Sequence, residues 1–195
     1  MNDDYYQRNA QRFYEDTVHV DMSALYQPFI AHMQPGARIL DAGCGSGRDI
    51  KAFSEIGFEV EAFDASAELV ERAKLLTGKP VELMRLQEVS AVERYDGIWC
   101  CASLLHVPEQ ELSEVMALLA RALKLGGVWY LSFKYGNGER EKDGRLFTDM
   151  DEAGLQRFTA GLNDKLNIID MWRTGDLRPG RGSESWLNAV LKKTR

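Results

Sequence analysis

The chain has 195 residues, 45% of them hydrophobic and 28% charged, and a formal net charge of -6. That length suits one domain with a buried core, and the acidic balance argues against a nucleic-acid partner, which would call for a basic stripe. No apolar stretch approaches the roughly 18 residues of a membrane span, and the polar start "MNDDYYQRNAQRFYED" has no apolar signal core, so no membrane association is expected.

Three cysteines, Cys44, Cys100 and Cys101, make neither a disulfide framework nor a metal-ligand spacing. A reduced cytoplasmic protein without a metal is the expectation. Adjacent Cys100 and Cys101 should point to opposite faces of a strand.

In chain order, "DDYYQRNAQRFYEDT" and "MSALYQPFIAHM" read as two helices, with Pro28 placed to kink the second. The first carries Tyr5, Tyr6, Phe13 and Tyr14. It reads equally as a lid over a ligand and as an amphipathic helix covering apolar surface. "ARILDA" (37–42) is the first strand, and a glycine turn leads into a helix with Ile50, Phe53 and Ile56 at helical spacing, stopped by Gly57. "FEVEAFD" (58–64) is the second strand, and Ser66 caps the helix "SAELVERAKLL". "VELMRL" (81–86) is the third strand and "YDGIWCCAS" (95–103) the fourth, apolar enough for burial on both faces.

"EQELSEVMALLARALKLGG" reads as a helix closed by Gly126 and Gly127, followed by the fifth strand, "VWYLSFKY" (128–135). Residues 136–147 read as a polar loop, and Thr148 as the cap of a helix after it. "NIIDMWR" (167–173) and "ESWLNAVLKK" (184–193) are joined directly and so pair antiparallel. The alternation of strand and helix predicts an α/β fold with a Rossmann-like doubly wound sheet, its ligand at the carboxyl ends of the strands. Residues 1–34 then form a helical lid, 35–135 a cofactor-binding core, and 136–195 the acceptor side, all within one domain.

The glycine turn decides which ligand that is. No Gly-x-x-x-x-Gly-Lys-Ser/Thr occurs, which removes a P-loop. Gly43, Gly45 and Gly47 give Gly-x-Gly-x-Gly, and Arg48 stands where a dinucleotide fingerprint has its third glycine. Asp41 lies just before the turn, where it would repel a pyrophosphate and attract a cation. S-adenosylmethionine has an ammonium, a sulfonium and no phosphate. Asp64, at the end of the second strand, suits the two ribose hydroxyls of that ligand or of NAD.

These stretches resemble the class I S-adenosylmethionine-dependent methyltransferases, in particular the small-molecule branch that includes tellurite-resistance and ubiquinone-biosynthesis enzymes. "LDAGCGSG" is similar to their first motif, "FDAS" to their second acidic loop, and "RYDGIWCCASLLHV" and "LKLGGVWYLSF" to their fourth- and fifth-strand segments. The resemblance covers about Ile39 to Phe133. It implies a seven-stranded sheet in the order 3-2-1-4-5-7-6 with strand 7 antiparallel, and methyl transfer from S-adenosylmethionine to leave S-adenosylhomocysteine.

Carried over, Gly43, Cys44, Gly45 and Gly47 would admit the methionyl part and Asp41 would face its amino group. Asp64 would hold the ribose with Ala65 beside the adenine. Leu86, Gln87 and Glu88 would line the adenine, while Cys101 and Ala102 would stand near the methionine moiety. Arg85 departs from the pattern, which usually has Asp there.

His106 is the candidate general base, with a role in ordering its loop as the plain alternative. The acceptor pocket is assigned to Tyr5, Tyr6, Tyr14, Lys134, Arg140 and Arg145. Arg173, Arg178 and Arg181 bracket the last hairpin. Convergence of some of these cations would favour a small anionic acceptor, against the plain reading of solvated loop charges. The partners expected are that acceptor alone, with the protein a monomer or homodimer. An NAD(P)-dependent oxidoreductase and a non-catalytic S-adenosylmethionine binder are the competing readings.

Overall fold

The computed structural model describes residues 2–162 and 166–194. Seven strands form one sheet: β1 (Arg38–Ala42), β2 (Glu59–Asp64), β3 (Glu82–Leu83), β4 (Tyr95–Cys100), β5 (Leu123–Lys134), β8 (Leu166–Gly175) and β9 (Ser185–Lys193). Their order is β3-β2-β1-β4-β5-β9-β8. The first five run parallel, and β9 runs antiparallel to both neighbours. In seven-strand numbering this is the expected 3-2-1-4-5-7-6. The strand order reverses between β1 and β4, which places a ligand crevice at their carboxyl ends.

The period-2 alternation of the central strands feeds two apolar layers. On one face Ile98 and Cys100 pack with Trp129, Leu131 and α5 (Glu109–Ala122), which buries Leu112, Val115, Met116 and Leu119. On the other, Ile39, Trp99, Tyr130 and Val190 meet Phe29 of α2 (Ser23–Ile30) and Phe53 of α3 (Arg48–Ile56). Trp99 and Tyr130, cross-strand partners, stack with centroids 3.8 Å apart. Cys100 and Cys101 do fall on opposite faces. The helix α4 (Ala67–Thr77) closes the β2 side, and Ser66 caps it, accepting from the Leu69 amide.

Several boundaries differ from the sequence reading. The α5 helix ends at Ala122, not at Gly126–Gly127, because Leu123 already pairs with Tyr95 as the start of β5. Lys193 of β9 caps the helix end by donating to the Ala120 and Leu123 carbonyls at 2.9 and 3.0 Å. The third strand shrinks to two residues. Residues 136–147 are not a loop: β6 (Gly138–Lys142) and β7 (Arg145–Asp149) form a second, two-stranded sheet.

Thr148 therefore sits in β7, where its hydroxyl donates to the Val107 carbonyl at 2.7 Å. Asp151 caps α6 (Glu152–Ala160) instead, accepting from the Gly154 amide. Pro28 lies inside α2, which ends two residues later; the break in the N-terminal region falls at Asn9 within α1 (Asn2–Thr17), at φ -112° and ψ 15°. Among the described residues no helix is long and apolar enough to cross a membrane, and no group of three or more His, Cys, Asp or Glu could hold a metal ion.

Candidate active site

The turn after β1 is wound left-handed three times, with φ of 81° at Gly43, 54° at Gly45 and 81° at Gly47. Only glycine takes such values without strain. Close approach adds a second reason. A side-chain carbon at Gly43 would stand 2.6 Å from Ser103 after β4, and one at Gly47 would stand 2.9 Å from Ala73 of α4. Asp64 ties the turn to β2, its Oδ2 accepting from the Gly45 amide at 2.8 Å and its Oδ1 from the Ser66 amide at 2.9 Å.

Two buried carboxylates lie beneath the turn, and their surroundings separate them. Asp49, in the first turn of α3, accepts from Tyr26 Oη at 2.5 Å, Trp99 Nε1 at 2.8 Å, and Arg48 Nε and Nη2 at 2.7 and 2.9 Å. Burial raises its pKa, but the guanidinium and these donors outweigh it and hold Asp49 below the usual carboxylate range. Asp41 is 2% exposed, and its Oδ2 has no hydrogen-bond partner. Burial and then the neighbouring Asp49 charge push it well above the usual range, against the pull of Arg48.

A cavity of about 1120 Å³ opens from the turn and runs to the β6–β7 hairpin. On its wall Tyr6 of α1 meets His106, Oη to Nε2, at 2.6 Å. His106 Nδ1 lies 3.2 Å from the Leu146 carbonyl of β7. A carbonyl only accepts, so Nδ1 carries the proton and Nε2 receives that of Tyr6. Burial, then the nearby Arg145 and Lys134 charges, bring His106 down to about 4, against the bond to Leu146.

The Arg145 guanidinium lies over the rings of Tyr5 at 4.2 Å and Phe147 at 5.0 Å, with Nε buried and without a partner. Lys134 pairs with Glu184, and Arg178 with Asp176 at 2.5 Å. Ala102, at the end of β4, holds φ 54°, an uncommon conformation for a residue with a Cβ, beside the same cavity.

Most residues singled out from sequence reach this cavity. Gly43, Cys44, Gly45, Asp64, Ala65, Leu86, Gln87, Cys101, Ala102, Tyr5, Tyr6, His106, Lys134 and Arg145 all line it. Five lie off its wall. Asp41 sits beneath the turn, and Gly47 lets α3 approach Ala73. Glu88 caps its own short 3₁₀ turn by accepting from the Arg85 amide at 2.7 Å. Tyr14 lies under the Arg72 guanidinium, and Arg140 pairs with Asp149 over the Phe147 ring.

Of the remaining cations, Arg178 and Arg181 line the cavity, whereas Arg173 pairs with Glu152 over the Tyr135 ring. Trp186 reaches the wall and Trp172 does not. Sequence reasoning missed Arg48 and Asp49, which also line it. The available signal was an acid at 49 on the same helical face as Ile50 and Phe53, where an unpaired carboxylate is not tolerated.

Residues 39–127 match a family described as a methyltransferase domain. The chain is 37% identical over 105 residues to a ubiquinone biosynthesis O-methyltransferase of Xanthomonas campestris pv. campestris (strain B100), an alignment that takes in 50% of this chain and 43% of that relative. The chain thus spans less than half the length of the curated relatives it matches. Among solved structures, a 1,6-didemethyltoxoflavin-N1-methyltransferase of Burkholderia thailandensis, with S-adenosylhomocysteine bound, superposes with a TM-score of 0.80 at 22% identity, covering 100% of this chain and 86% of that one. A magnesium protoporphyrin IX methyltransferase of Synechocystis PCC 6803, with S-adenosylmethionine bound, gives 0.76 at 18% identity, covering 99% and 95%. At those identities the likeness concerns the fold.

Proposed function

We propose that the chain is a class I S-adenosylmethionine-dependent methyltransferase, a reading supported by its match to the methyltransferase-domain family over residues 39–127, and that it transfers a methyl group from that cofactor to a small, negatively charged acceptor. The observation that carries this reading is Asp41 Oδ2, a buried carboxylate oxygen without a partner beside a glycine turn that opens into a large cavity. Such an atom calls for a cation. The ammonium of S-adenosylmethionine supplies one, whereas a pyrophosphate there would be repelled.

When bound, the cofactor supplies a methyl group on a cationic sulfur that leaves as a neutral thioether. The residues divide the rest. Asp41 takes the ammonium, directly or through water, and Arg48 offers the methionyl carboxylate a guanidinium already fixed by Asp49. Asp64, oriented by two backbone amides, accepts from the ribose hydroxyls. Ala65, Leu86 and Gln87 border the adenine, and Cys101 and Ala102 the methionine chain. Gly47 and Glu88 act one step back, in the packing of α3 on α4 and the shape of the 3₁₀ turn.

In this reading α1 is the lid. Phe13 covers Gly45, and Gln7 accepts from Ser66 Oγ at 3.2 Å and the Glu68 amide at 3.3 Å, closing the cradle against water. Of the cations on the wall, Arg145 and Arg181 favour an anionic acceptor, whereas Lys134 and Arg178 are already paired with Glu184 and Asp176. The two solved relatives are named for small acceptors, 1,6-didemethyltoxoflavin and magnesium protoporphyrin IX.

Calorimetry with S-adenosylmethionine, S-adenosylhomocysteine and NAD tests the cofactor. Micromolar binding of the two adenosyl ligands without NAD is expected. Binding of NAD alone would turn the reading to hydride transfer.

A further inference from the structure

The geometry of Tyr6, His106 and Arg145 points to an acceptor that is bound and methylated as a preformed anion, with Arg145 as its counter-ion and His106 as a positioning residue for Tyr6 rather than a base. This inference rests on the methyltransferase reading and adds the ionisation state of the reacting group.

Among the described residues His106 is the one imidazole on the cavity wall, and its two nitrogens are committed. Nδ1 donates to Leu146 and Nε2 accepts the Tyr6 proton. To act as a base, Nε2 would have to release Tyr6 and become an imidazolium. Burial and the charged groups that face it oppose that charge: Arg145 from β7 and Lys134 from β5. Burial also raises Tyr6 above the ordinary phenol range, with Arg145 opposing and Asp64 adding to the rise, so Tyr6 stays protonated.

The acids near Arg145 and Lys134 do not replace the histidine. Glu184 is paired with Lys134 and Asp176 with Arg178, while Glu141 and Asp143 are exposed. Lys142 adds a second cation, 3.8 Å from Glu184. The cationic side is different. The Arg145 side chain is 16% exposed, its Nε faces no acceptor, and its acidic neighbour, Asp143, lies at 3.7 Å with 66% of its side chain in solvent.

A cavity wall with a shielded guanidinium, beside a histidine committed at both nitrogens, ionises its ligand by field rather than by proton transfer. An acidic O–H or N–H loses its proton to solvent on binding beside Arg145. The anion's lone pair then forms the new bond to carbon, the pair of the broken carbon–sulfur bond stays on sulfur, and no proton moves in that step. The methylated product is neutral at that atom, so its attraction to Arg145 ends and release follows.

The test uses 4-nitrophenol as a probe, because its phenolate absorbs visible light and the phenol does not. The full chain is titrated with it in the presence of saturating S-adenosylhomocysteine. Bound probe is expected to ionise about tenfold or more readily than free probe. Arg145→Met should abolish that shift and Arg145→Lys keep part of it. His106→Gln should weaken binding, since Tyr6 loses its anchor, yet leave the shift of the bound probe in place. A melting curve accompanies each variant; if Arg145→Met does not fold, wild type and Arg145→Lys carry the comparison. No probe binding at millimolar concentration, bound probe with unshifted ionisation, or a shift that depends on His106 and not on Arg145 would overturn the inference. Failure of S-adenosylhomocysteine itself to bind would instead overturn the methyltransferase reading.

Discussion

The Phe13 ring on α1 lies so close over Gly45 that a side-chain carbon at Gly45 would stand 2.9 Å from it. The N-terminal helix and the glycine turn are therefore fitted to each other across 32 positions of chain. Gly45→Ala would place a methyl into that contact at a backbone φ of 54°. Strain of roughly 1–2 kcal/mol is expected, together with an unseated α1. Limited proteolysis within residues 2–17 should accelerate, and S-adenosylhomocysteine affinity should fall. Unchanged proteolysis with unchanged affinity would show that the helix does not close on this turn.

Asp64 joins the turn to β2 through the amides of Gly45 and Ser66. Asp64→Ala leaves both donors without that partner and removes the proposed ribose contact. A loss of roughly 1.5–3 kcal/mol in S-adenosylhomocysteine binding is expected for a charged hydrogen-bonding group, with a smaller loss of stability. Calorimetry and a urea melt on the same sample separate the two. Full affinity in a destabilised protein would limit Asp64 to shaping the turn.

The turn and its acids were legible because chemistry constrains them locally: a left-handed winding demands glycine, and a strand-end aspartate flags what the turn will accept. The β6–β7 hairpin was not. Its turn is Asp143-Gly144, both with positive φ at 53° and 70° and flanked by the pair Lys142 and Arg145. That dipeptide is a strong hairpin signal between alternating apolar residues, but "GEREK" alternates charge with charge and looks like a solvated loop. The Tyr6–His106 contact spans 100 positions. No periodicity in either segment announces it, so this contact between α1 and the segment after β4 became visible only in three dimensions. The sheet order came through intact, since the resemblance carried by the motifs implied it.

Asp41 makes the proposed cofactor site sensitive to pH. Its folded pKa is raised, so the native state holds a proton that the unfolded chain releases in the window from the ordinary carboxylate value upward. The stability this proton contributes is fully present below the unfolded pKa and is lost as pH rises through the folded one, by at most about 1.4 kcal/mol per pH unit. The cofactor-free protein should thus lose stability as pH rises above the ordinary carboxylate range, and Asp41→Asn should flatten that slope. An ammonium at Asp41 favours the carboxylate, so cofactor binding should release a proton and strengthen as pH rises. Binding enthalpies in phosphate and in Tris should then differ. Equal enthalpies would mean that Asp41 is already ionised before the ligand arrives.

Arg48 neutralises a carboxylate that cannot reach water. The pair is 2.7 Å apart, and the side chains are 17% and 6% exposed. Arg48→Met would leave Asp49 ionised and buried with only Tyr26 and Trp99 donating to it, a change expected to destabilise the fold by about 3–5 kcal/mol. Arg48→Lys restores the charge but not the two-pronged contact through Nε and Nη2, so it should recover only part of the loss. Removing both charges in Arg48→Met/Asp49→Leu should recover more, and denaturant unfolding of the set closes a double-mutant cycle. Additive losses would mean that the two residues do not depend on each other. If they do, the double variant should fold well yet gain less stability from S-adenosylhomocysteine than wild type does, because the guanidinium proposed to meet the ligand's carboxylate is gone.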